Sequence, residues 1–560
     1  MILRLNAYSS EFRPNAATGV ANPFDPAVRG RKVEAMNRRK FAQAAAATWA
    51  VTALPPVFAT GHPPLDGELT LDEIASAFAT GRTSARELTA FYLRRIAALD
   101  RHGPMLRAVL EINPQALETA AALDLERARR GPRGPLHGVP ILIKDNIETA
   151  DRTMTTAGSW ALEGWYAPED APLVARLRAA GAVILGKTNL SEWANFRSTA
   201  SVSGWSGRGG QTRNPYALDR SPSGSSSGSA VAVAANLCAA AVGTETNGSI
   251  VSPASVNGVV GIKPTVGLVS RRGVVPISHS QDTAGPIART VRDAALLLGA
   301  MVGPDPADPA SVAVGSRFQT DYARYLSADG LAGARLGIAR KFFLDNAPLD
   351  RFLDRCLATL RRAGAVIVDP AELPAHGDAA TPSSEVLLYE FKADLNAYLA
   401  RLPAALKVHS LADLIHFNEA NATRELGEFD QELLRKSEAK GGLEEPAYLE
   451  ARAAALAASR EHGIDAAIAE HRLDAIVTLT SGPAWFIDPI AGDADTGGCS
   501  TPAAVAGYPH VTVPAGLHRG LPIGLSFFAG AFSEPTLLRL ASGFEHAANA
   551  RVAPGFPARI

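Results

Sequence analysis

The sequence predicts an α/β layered fold, and three observations carry that reading. Short apolar runs follow Gly/Pro turns, as in G-V-P-I-L-I-K at 138–144 and A-V-I-L-G at 182–186. Segments with apolar residues at helical spacing lie between such runs. No long linker interrupts the alternation, so strands and helices belong to one large domain rather than several small ones.

Taken in order, Leu71, Ile74 and Phe78, then Leu88, Phe91, Tyr92 and Ile96, recur at helical spacing. Ser84 with Glu87 three residues on predicts a capping box for the second helix, in which hydroxyl and carboxylate each satisfy a free backbone N–H. The run at 138–144 reads as a buried strand ending at Lys144. Leu173, Ala175, Arg176 and Leu177 form a helical pattern leading into the strand at 182–186. Residues 230–243 (A-V-A-V-A-A-N-L-C-A-A-A-V-G) are apolar nearly all round, which predicts a buried central helix. That stretch is too short to span a membrane and carries Asn236. Residues 340–465 are charged and rich in Ala, Leu, Glu and Arg, and read as a peripheral helical layer. Strand patterns return at 473–480 and 509–514.

The chain has 560 residues, 47% of them hydrophobic and 20% charged, with a net charge of -1. That supports a sizeable core and excludes both a nucleic-acid electrostatic footprint and an acidic disordered chain. Cys238, Cys356 and Cys499 lie far apart with no C-x-x-C pair, which argues against a structural zinc site or a disulfide framework. No fixed-period repeat is present.

The N-terminus has the grammar of an export signal. From Met36, the charged M-N-R-R-K precedes a short Ala-rich apolar stretch, and Val57-Phe58-Ala59 offers a small-residue cleavage site. Arg38-Arg39 followed by Phe41 resembles a twin-arginine signal, with Asn37 where Ser or Thr is commoner. The alternative is a basic-flanked surface helix. Residues 1–35 are read as upstream or disordered, 36–60 as the signal, and 65–555 as the folded domain. The expected location is exported, periplasmic or secreted, with no stable membrane insertion.

Residues 222–229 read P-S-G-S-S-S-G-S. A flexible linker would be flanked by other polar segments, whereas this run opens onto an apolar helix. Gly224 to Gly228 also fits G-x-S-x-G, the nucleophile elbow, with His510 and His546 as downstream histidines. That motif needs a strand just before the serine, and the residues here are turn-rich. Ser437-Glu438-Ala439-Lys440 fits S-x-x-K without its partner motifs, and a solvated helix end explains it better.

A third constellation joins Lys144, the serine run and G-T-E-T-N-G-S at 243–249. The stretches G-V-P-I-L-I-K-D-N-I (138–147), P-S-G-S-S-S-G-S-A (222–230), G-T-E-T-N-G-S-I (243–250) and G-I-K-P-T-V-G-L-V-S (261–270) resemble the amidase signature family. So do D-T-A-G-P-I-A-R-T-V (282–291), P-A-A-V-A-G-Y-P (502–509) and L-P-I-G-L (521–525), and the pattern runs in order from about residue 70 to 545. The resemblance implies a large mixed central β-sheet covered on both faces by helices. It implies a Ser–Ser–Lys triad, with Lys144 as base, Ser225 as bridge and Ser249 as nucleophile. It further implies a cis peptide at Gly224–Ser225 and an oxyanion hole from the N–H groups of Thr246, Asn247, Gly248 and Ser249. No metal or organic cofactor is called for.

The chemistry is coherent. A serine hydroxyl needs a base within hydrogen-bond reach. Lysine serves only when neutral, and burial lowers its pKa. A hydroxyl can accept from one partner while donating to another, so Ser225 can bridge. Ser223 and Ser227 stand where the family often has glycine, Asn247 where Gly is common, and Val251 where the tRNA-amidotransferase branch has Arg. The stretches G-T-E-T-N-G-S-I-V, V-S-R-R-G-V-V-P-I-S-H-S-Q-D-T-A-G-P and T-S-G-P-A-W (480–485) look like those of bacterial peptide amidases. That likeness implies that the 480–500 segment helps line the substrate side with Trp485 as an apolar wall, although Trp485 reads equally as core; Ser226 is a further substrate-binding candidate. Lys187 and Asp282 read as structural.

The leading expectation is a serine amidohydrolase releasing a primary amide, the C-terminal amide of a peptide. The alternatives are a broad aliphatic or aryl amidase or esterase, a glutamyl-tRNA amidotransferase A-like subunit, and an inactive exported binding protein. The expected partner is a small amide or peptide-amide substrate and no nucleic acid, on a monomer or homodimer.

Overall fold

Thirteen strands organise the protein in the computed structural model, which describes residues 67–343 and 346–560. They are β1 (Val109–Ile112), β2 (Pro140–Lys144), β3 (Val183–Thr188), β4 (Trp205–Ser206), β5 (Gly210–Gln211), β6 (Ala240–Glu245) and β7 (Val260–Lys263). Then come β8 (Thr283–Ala288), β9 (Arg335–Ile338), β10 (Val366–Val368), β11 (Ala475–Leu479), β12 (His510–His518) and β13 (Leu521–Phe528). Strands β4 and β5 pair with each other. The other eleven form one sheet in the order β1-β3-β2-β6-β8-β7-β12-β13-β11-β9-β10.

The sheet is mixed. Strand β2 is parallel to both β3 and β6, and β9 is parallel to β10 and β11. The remaining pairs, including β6 with β8 and β12 with β13, are antiparallel. Every residue of β2, β3, β6, β8, β11 and β13 is buried. Successive side chains of a strand point to opposite faces, so burial of all of them means that both faces are covered.

The helices at Leu71–Ala79 and Ala85–Arg95 form as their spacing predicts, and Ser84 with Glu87 makes the capping box. The apolar run at 230–243 divides instead of forming one helix. Its helix covers Ser227–Ala234, Asn236 takes a left-handed φ of 57°, and 240–245 becomes strand β6, an interior strand between β2 and β8. A run that is apolar on all sides carries no periodicity, so it cannot separate a buried helix from a buried strand.

The segment from 340 to 465 is mainly helical, with long helices at Ala347–Arg362, Ala380–Leu399 and Pro446–Ser459, but it also supplies edge strand β10. Phe391, Leu395 and Leu399 of the second helix share an apolar cluster with Trp165, Trp193, Val275 and Ile277. That cluster seats the helical layer on loops next to the site described below. Ser437 lies in the last turn of the helix Glu432–Glu438 and is fully buried rather than solvated, while Lys440 pairs with Glu385.

Cys238, Cys356 and Cys499 are all buried free thiols. Among the described residues no helix is long and apolar enough to cross a membrane. Residues 36–60, where an export signal is expected, and residues 1–35 lie outside the described residues.

Candidate active site

Lys144 is the last residue of β2 and is completely buried. Strand β6, the parallel neighbour of β2, ends one residue after Thr244. Pairing these two strands therefore brings together residues a hundred positions apart. The Lys144 Nζ donates to Thr244 Oγ1 at 2.8 Å and to the Thr244 carbonyl at 3.3 Å. It also donates to Ser225 Oγ at 2.8 Å. Asn146 Nδ2 holds Thr244 Oγ1 from the other side at 3.0 Å. Burial pushes the Lys144 ammonium down to about 7, against the opposing pull of the Asp282 and Glu245 carboxylates.

The serine run is a tight turn feeding the helix Ser227–Ala234, with no strand before it, so the nucleophile-elbow geometry is absent. The Gly224–Ser225 peptide is cis. A Cβ at position 224 would lie 2.2 Å from Ser191 Oγ, so only glycine fits there. Ser223 adopts φ 58°, the left-handed region where glycine is the usual choice. Ser227 Oγ donates to the Ser223 carbonyl at 2.6 Å and ties the turn to the helix. The two serines that replace family glycines are thereby accommodated.

Ser226 is fully buried, and its hydroxyl is committed inside the protein. It donates to the Thr244 carbonyl at 3.0 Å and accepts from the Thr244 N–H at 3.2 Å. The Ser226 N–H donates to the Ser249 carbonyl at 3.1 Å, which stitches the serine turn to the turn that carries Ser249.

That second turn, 246–249, links β6 to the helix Val251–Val256. Glu245 closes it, because its Oε2 accepts the N–H of Ile250 at 2.7 Å and of Val251 at 3.1 Å. Thr246 Oγ1 donates to Asp282 Oδ1 at 2.5 Å. Asp282 Oδ2 accepts the N–H groups of Ile277 and Ser278 at 2.8 and 2.9 Å. Burial raises the Asp282 carboxyl to about 6, opposed by these hydrogen bonds. The Asn247 side chain is held at both ends: Oδ1 accepts from Ser500 Oγ at 2.7 Å and Nδ2 donates to Thr501 Oγ1 at 3.1 Å. Among the described residues none accepts a hydrogen bond from the N–H of Asn247, Gly248 or Ser249. The Ser249 side chain likewise has no described hydrogen-bond partner, and Ser249 is 8% exposed. The structure thus joins Lys144 to Ser225 directly and Ser249 to this pair through the backbone. It shows no hydrogen bond between the two hydroxyls of Ser225 and Ser249.

Gly248 has φ 82°, and a Cβ there would lie 2.9 Å from Ser500 Oγ and 3.1 Å from Ser252 Oγ. We expect Gly248→Ala to lower kcat by ~10-fold to 100-fold, since a small displacement at the reacting centre costs rate at that scale. Steady-state kinetics on an amide substrate check this, and a wild-type kcat would refute it.

Trp485 is half-buried. Its ring N–H donates to Asp493 Oδ1 at 2.8 Å, and its carbonyl accepts from the Ser221 N–H at 2.7 Å, so it borders the serine run. Lys187 holds the Ile147 carbonyl and Thr155 Oγ1 at 2.7 and 2.9 Å. His510 is buried against Ser526 and belongs to the sheet interior. Sequence reasoning missed Thr244, Glu245, Ser500 and Thr501. The first two stood inside a motif already singled out, and the last two precede the P-A-A-V-A-G-Y-P stretch with no motif of their own.

A buried lysine poised near neutrality, a serine hydroxyl on its amine, a second serine with an uncommitted hydroxyl and a turn of unengaged N–H donors make up the equipment of an acyl-transfer hydrolase. The family model described as Amidase matches residues 87–538. The chain belongs to the amidase family and is an amide-hydrolysing enzyme. It is similar to the native peptide amidase of Stenotrophomonas maltophilia, with 52% identity, a TM-score of 0.84, and coverage of 88% of this chain and 100% of that one. A probable amidase of Arabidopsis thaliana is 45% identical over 502 residues, 87% of this chain and 92% of that protein. A glutamyl-tRNA(Gln) amidotransferase subunit of Halorhodospira halophila is 36% identical over 492 residues, 85% of this chain and 96% of its own.

Proposed function

We propose that this enzyme removes the C-terminal amide from peptides by acyl transfer through Ser249. The observation that carries the mechanism is the buried Lys144 amine at 2.8 Å from Ser225 Oγ, on a turn stitched to Ser249. The likeness to a peptide amidase over almost the whole domain supports the substrate class.

In the neutral state Lys144 donates to Thr244 and accepts from the Ser225 hydroxyl. For the relay to close on substrate binding, the Ser249 hydroxyl must turn to donate to Ser225 Oγ. Attack of Ser249 Oγ on the amide carbonyl forms the C–O bond, and the serine proton passes through Ser225 to Lys144. The N–H groups of Thr246, Asn247, Gly248 and Ser249 stabilise the oxyanion, each such donor contributing ~2.7–4 kcal/mol. Lys144 returns the proton to the leaving nitrogen by the same relay, the C–N bond breaks and ammonia departs. Water then adds to the acyl-enzyme with its proton taken by Lys144, and the peptide carboxylate leaves as Ser249 recovers its hydrogen.

The test is ammonia release from a short peptide C-terminal amide, compared with a simple aliphatic amide, an aryl amide and an aryl ester. The reading requires that the peptide amide has the highest kcat/KM and that the internal peptide bonds stay intact by mass spectrometry. Preference for the simple substrates would make the enzyme a broad amidase or esterase. Turnover that needs a tRNA substrate and partner subunits would place it with the amidotransferases, against Val251. A folded protein that hydrolyses none of them would sink the proposal.

A further inference from the structure

We infer that Gln281 is a positioning residue that fixes the peptide plane between Thr246 and Asn247, and that the helix Ala380–Leu399 acts on catalysis through it. The inference rests on the proposed role of the 246–249 turn as the oxyanion site.

Gln281 is 2% exposed and spans two elements. Its Nε2 donates to the Thr246 carbonyl at 3.2 Å. Its Oε1 accepts from Ser383 Oγ, itself 3% exposed, at 3.1 Å. The orientation of this amide is forced by chemistry, because a carbonyl can only accept and must face the NH₂ end.

The Thr246 carbonyl and the Asn247 N–H belong to one planar trans peptide and therefore point in opposite directions. Holding the carbonyl toward Gln281 turns the Asn247 N–H the other way, to where no described acceptor meets it. Rotation of this plane would swing the N–H away and present an oxygen instead. The other ties on Thr246 and Asn247 grip side chains: Asp282 holds Thr246 Oγ1, and Ser500 and Thr501 hold the Asn247 amide. Gln281 grips the peptide unit itself.

Gln281 can do this only if its own segment is rigid. Residues 277–282 form a strap whose N–H groups at 277 and 278 are closed onto Asp282. The strap is seated on the helix Ala380–Leu399. Ser280 Oγ donates to the fully buried Glu390 at 2.9 Å, Ser278 Oγ donates to the same carboxylate, and the His279 N–H donates to Asp394 Oδ2 at 2.6 Å. Tyr448 holds the other oxygen of Glu390 at 2.8 Å. A helix of the peripheral layer thus reaches the peptide unit between Thr246 and Asn247 through one amide side chain, beside the contact that Asp282 of the same strap makes with the Thr246 hydroxyl.

The test uses the whole enzyme with Gln281→Leu, Ser383→Ala and the double variant. Labelling of Ser249 by a fluorophosphonate in the wild type comes first. Failure to label it overturns the Ser249 reading and, with it, the inference about Gln281. With Ser249 labelled, Gln281→Leu is expected to lower kcat by ~10-fold to 100-fold and to leave KM within ~2-fold. The Ki of a peptide aldehyde, which forms a tetrahedral adduct, rises by the same factor as kcat/KM falls. Ser383→Ala is expected to lose ~2-fold to 5-fold in kcat and nothing further when added to Gln281→Leu, since it acts through that residue. A wild-type kcat in Gln281→Leu overturns the inference. So does a loss shared equally by KM and kcat with additive effects in the double variant, which would mark plain packing. If Gln281→Leu does not fold, Ser383→Ala decides alone: a wild-type kcat there overturns it.

Discussion

Replacing Ser249 by alanine is expected to lower amide hydrolysis by at least ~10⁴-fold and to leave the fold intact. Removal of a nucleophile that acts as a unit with its base collapses the whole relay, which is why losses of that order follow from a single atom. The fold survives for a structural reason. The Ser249 side chain has no described hydrogen-bond partner, and the contact that stitches the two turns uses its backbone carbonyl, which alanine keeps. Thermal unfolding is expected to match the wild type within the spread of ordinary surface substitutions, ~0.5 kcal/mol. Ammonia release from a peptide amide, followed beside circular dichroism, checks both halves. Retention of even one-hundredth of the activity would mean that another group attacks the carbonyl.

The second large effect concerns Lys144. Lys144→Met is expected to abolish turnover to a similar degree, because no other described base faces Ser225. In the wild type, kcat/KM should rise about tenfold per pH unit below about 7 and level off above it, as the amine loses its proton. The stability of the same group runs with a definite sign. Its folded pKa lies below the unfolded value of ~10.4, so the unfolded chain binds more protons between about 7 and ~10.4. Stability contributed by this site therefore rises with pH across that window, and the cost of burying it is fully felt below about 7. The methionine variant should gain stability relative to wild type as pH falls from 9 towards 7. Thermal midpoints of both proteins across that range measure this. A rate profile flat through pH 7, or a stability difference moving the opposite way, would remove Lys144 as the base.

Much of this was legible in the sequence, and the failures have physical causes. Strand β2 announced itself because an apolar run after a Gly/Pro turn has few other uses, and its end placed Lys144 correctly. The capping box at Ser84 and Glu87 was readable because it is local. The run at 230–243 was misread as one helix because uniform apolarity erases the period that separates helix from strand. Ser226 looked available to substrate, yet its hydroxyl serves Thr244; a hydroxyl's orientation is set by the neighbouring strand, which no local pattern reveals. Gln281, Ser383, Ser500 and Thr501 escaped for a related reason. Each acts through one long-range contact, and side chains that meet only in the folded molecule leave no spacing behind. Asp282 was read as structural, and its bond to Thr246 shows that support and site share one network here.

The three cysteines carry a consequence for where and how the chain can fold. Each thiol is sealed in the interior with no disulfide partner, and burial pushes all three up to about 12, far from the reactive thiolate form. The native molecule therefore owes nothing to a covalent cross-link. Its stability should be indifferent to glutathione, and any disulfide formed during synthesis or refolding would trap a non-native chain. A cell can complete this enzyme in a reducing compartment and use it in an oxidising one without rearranging a single sulfur.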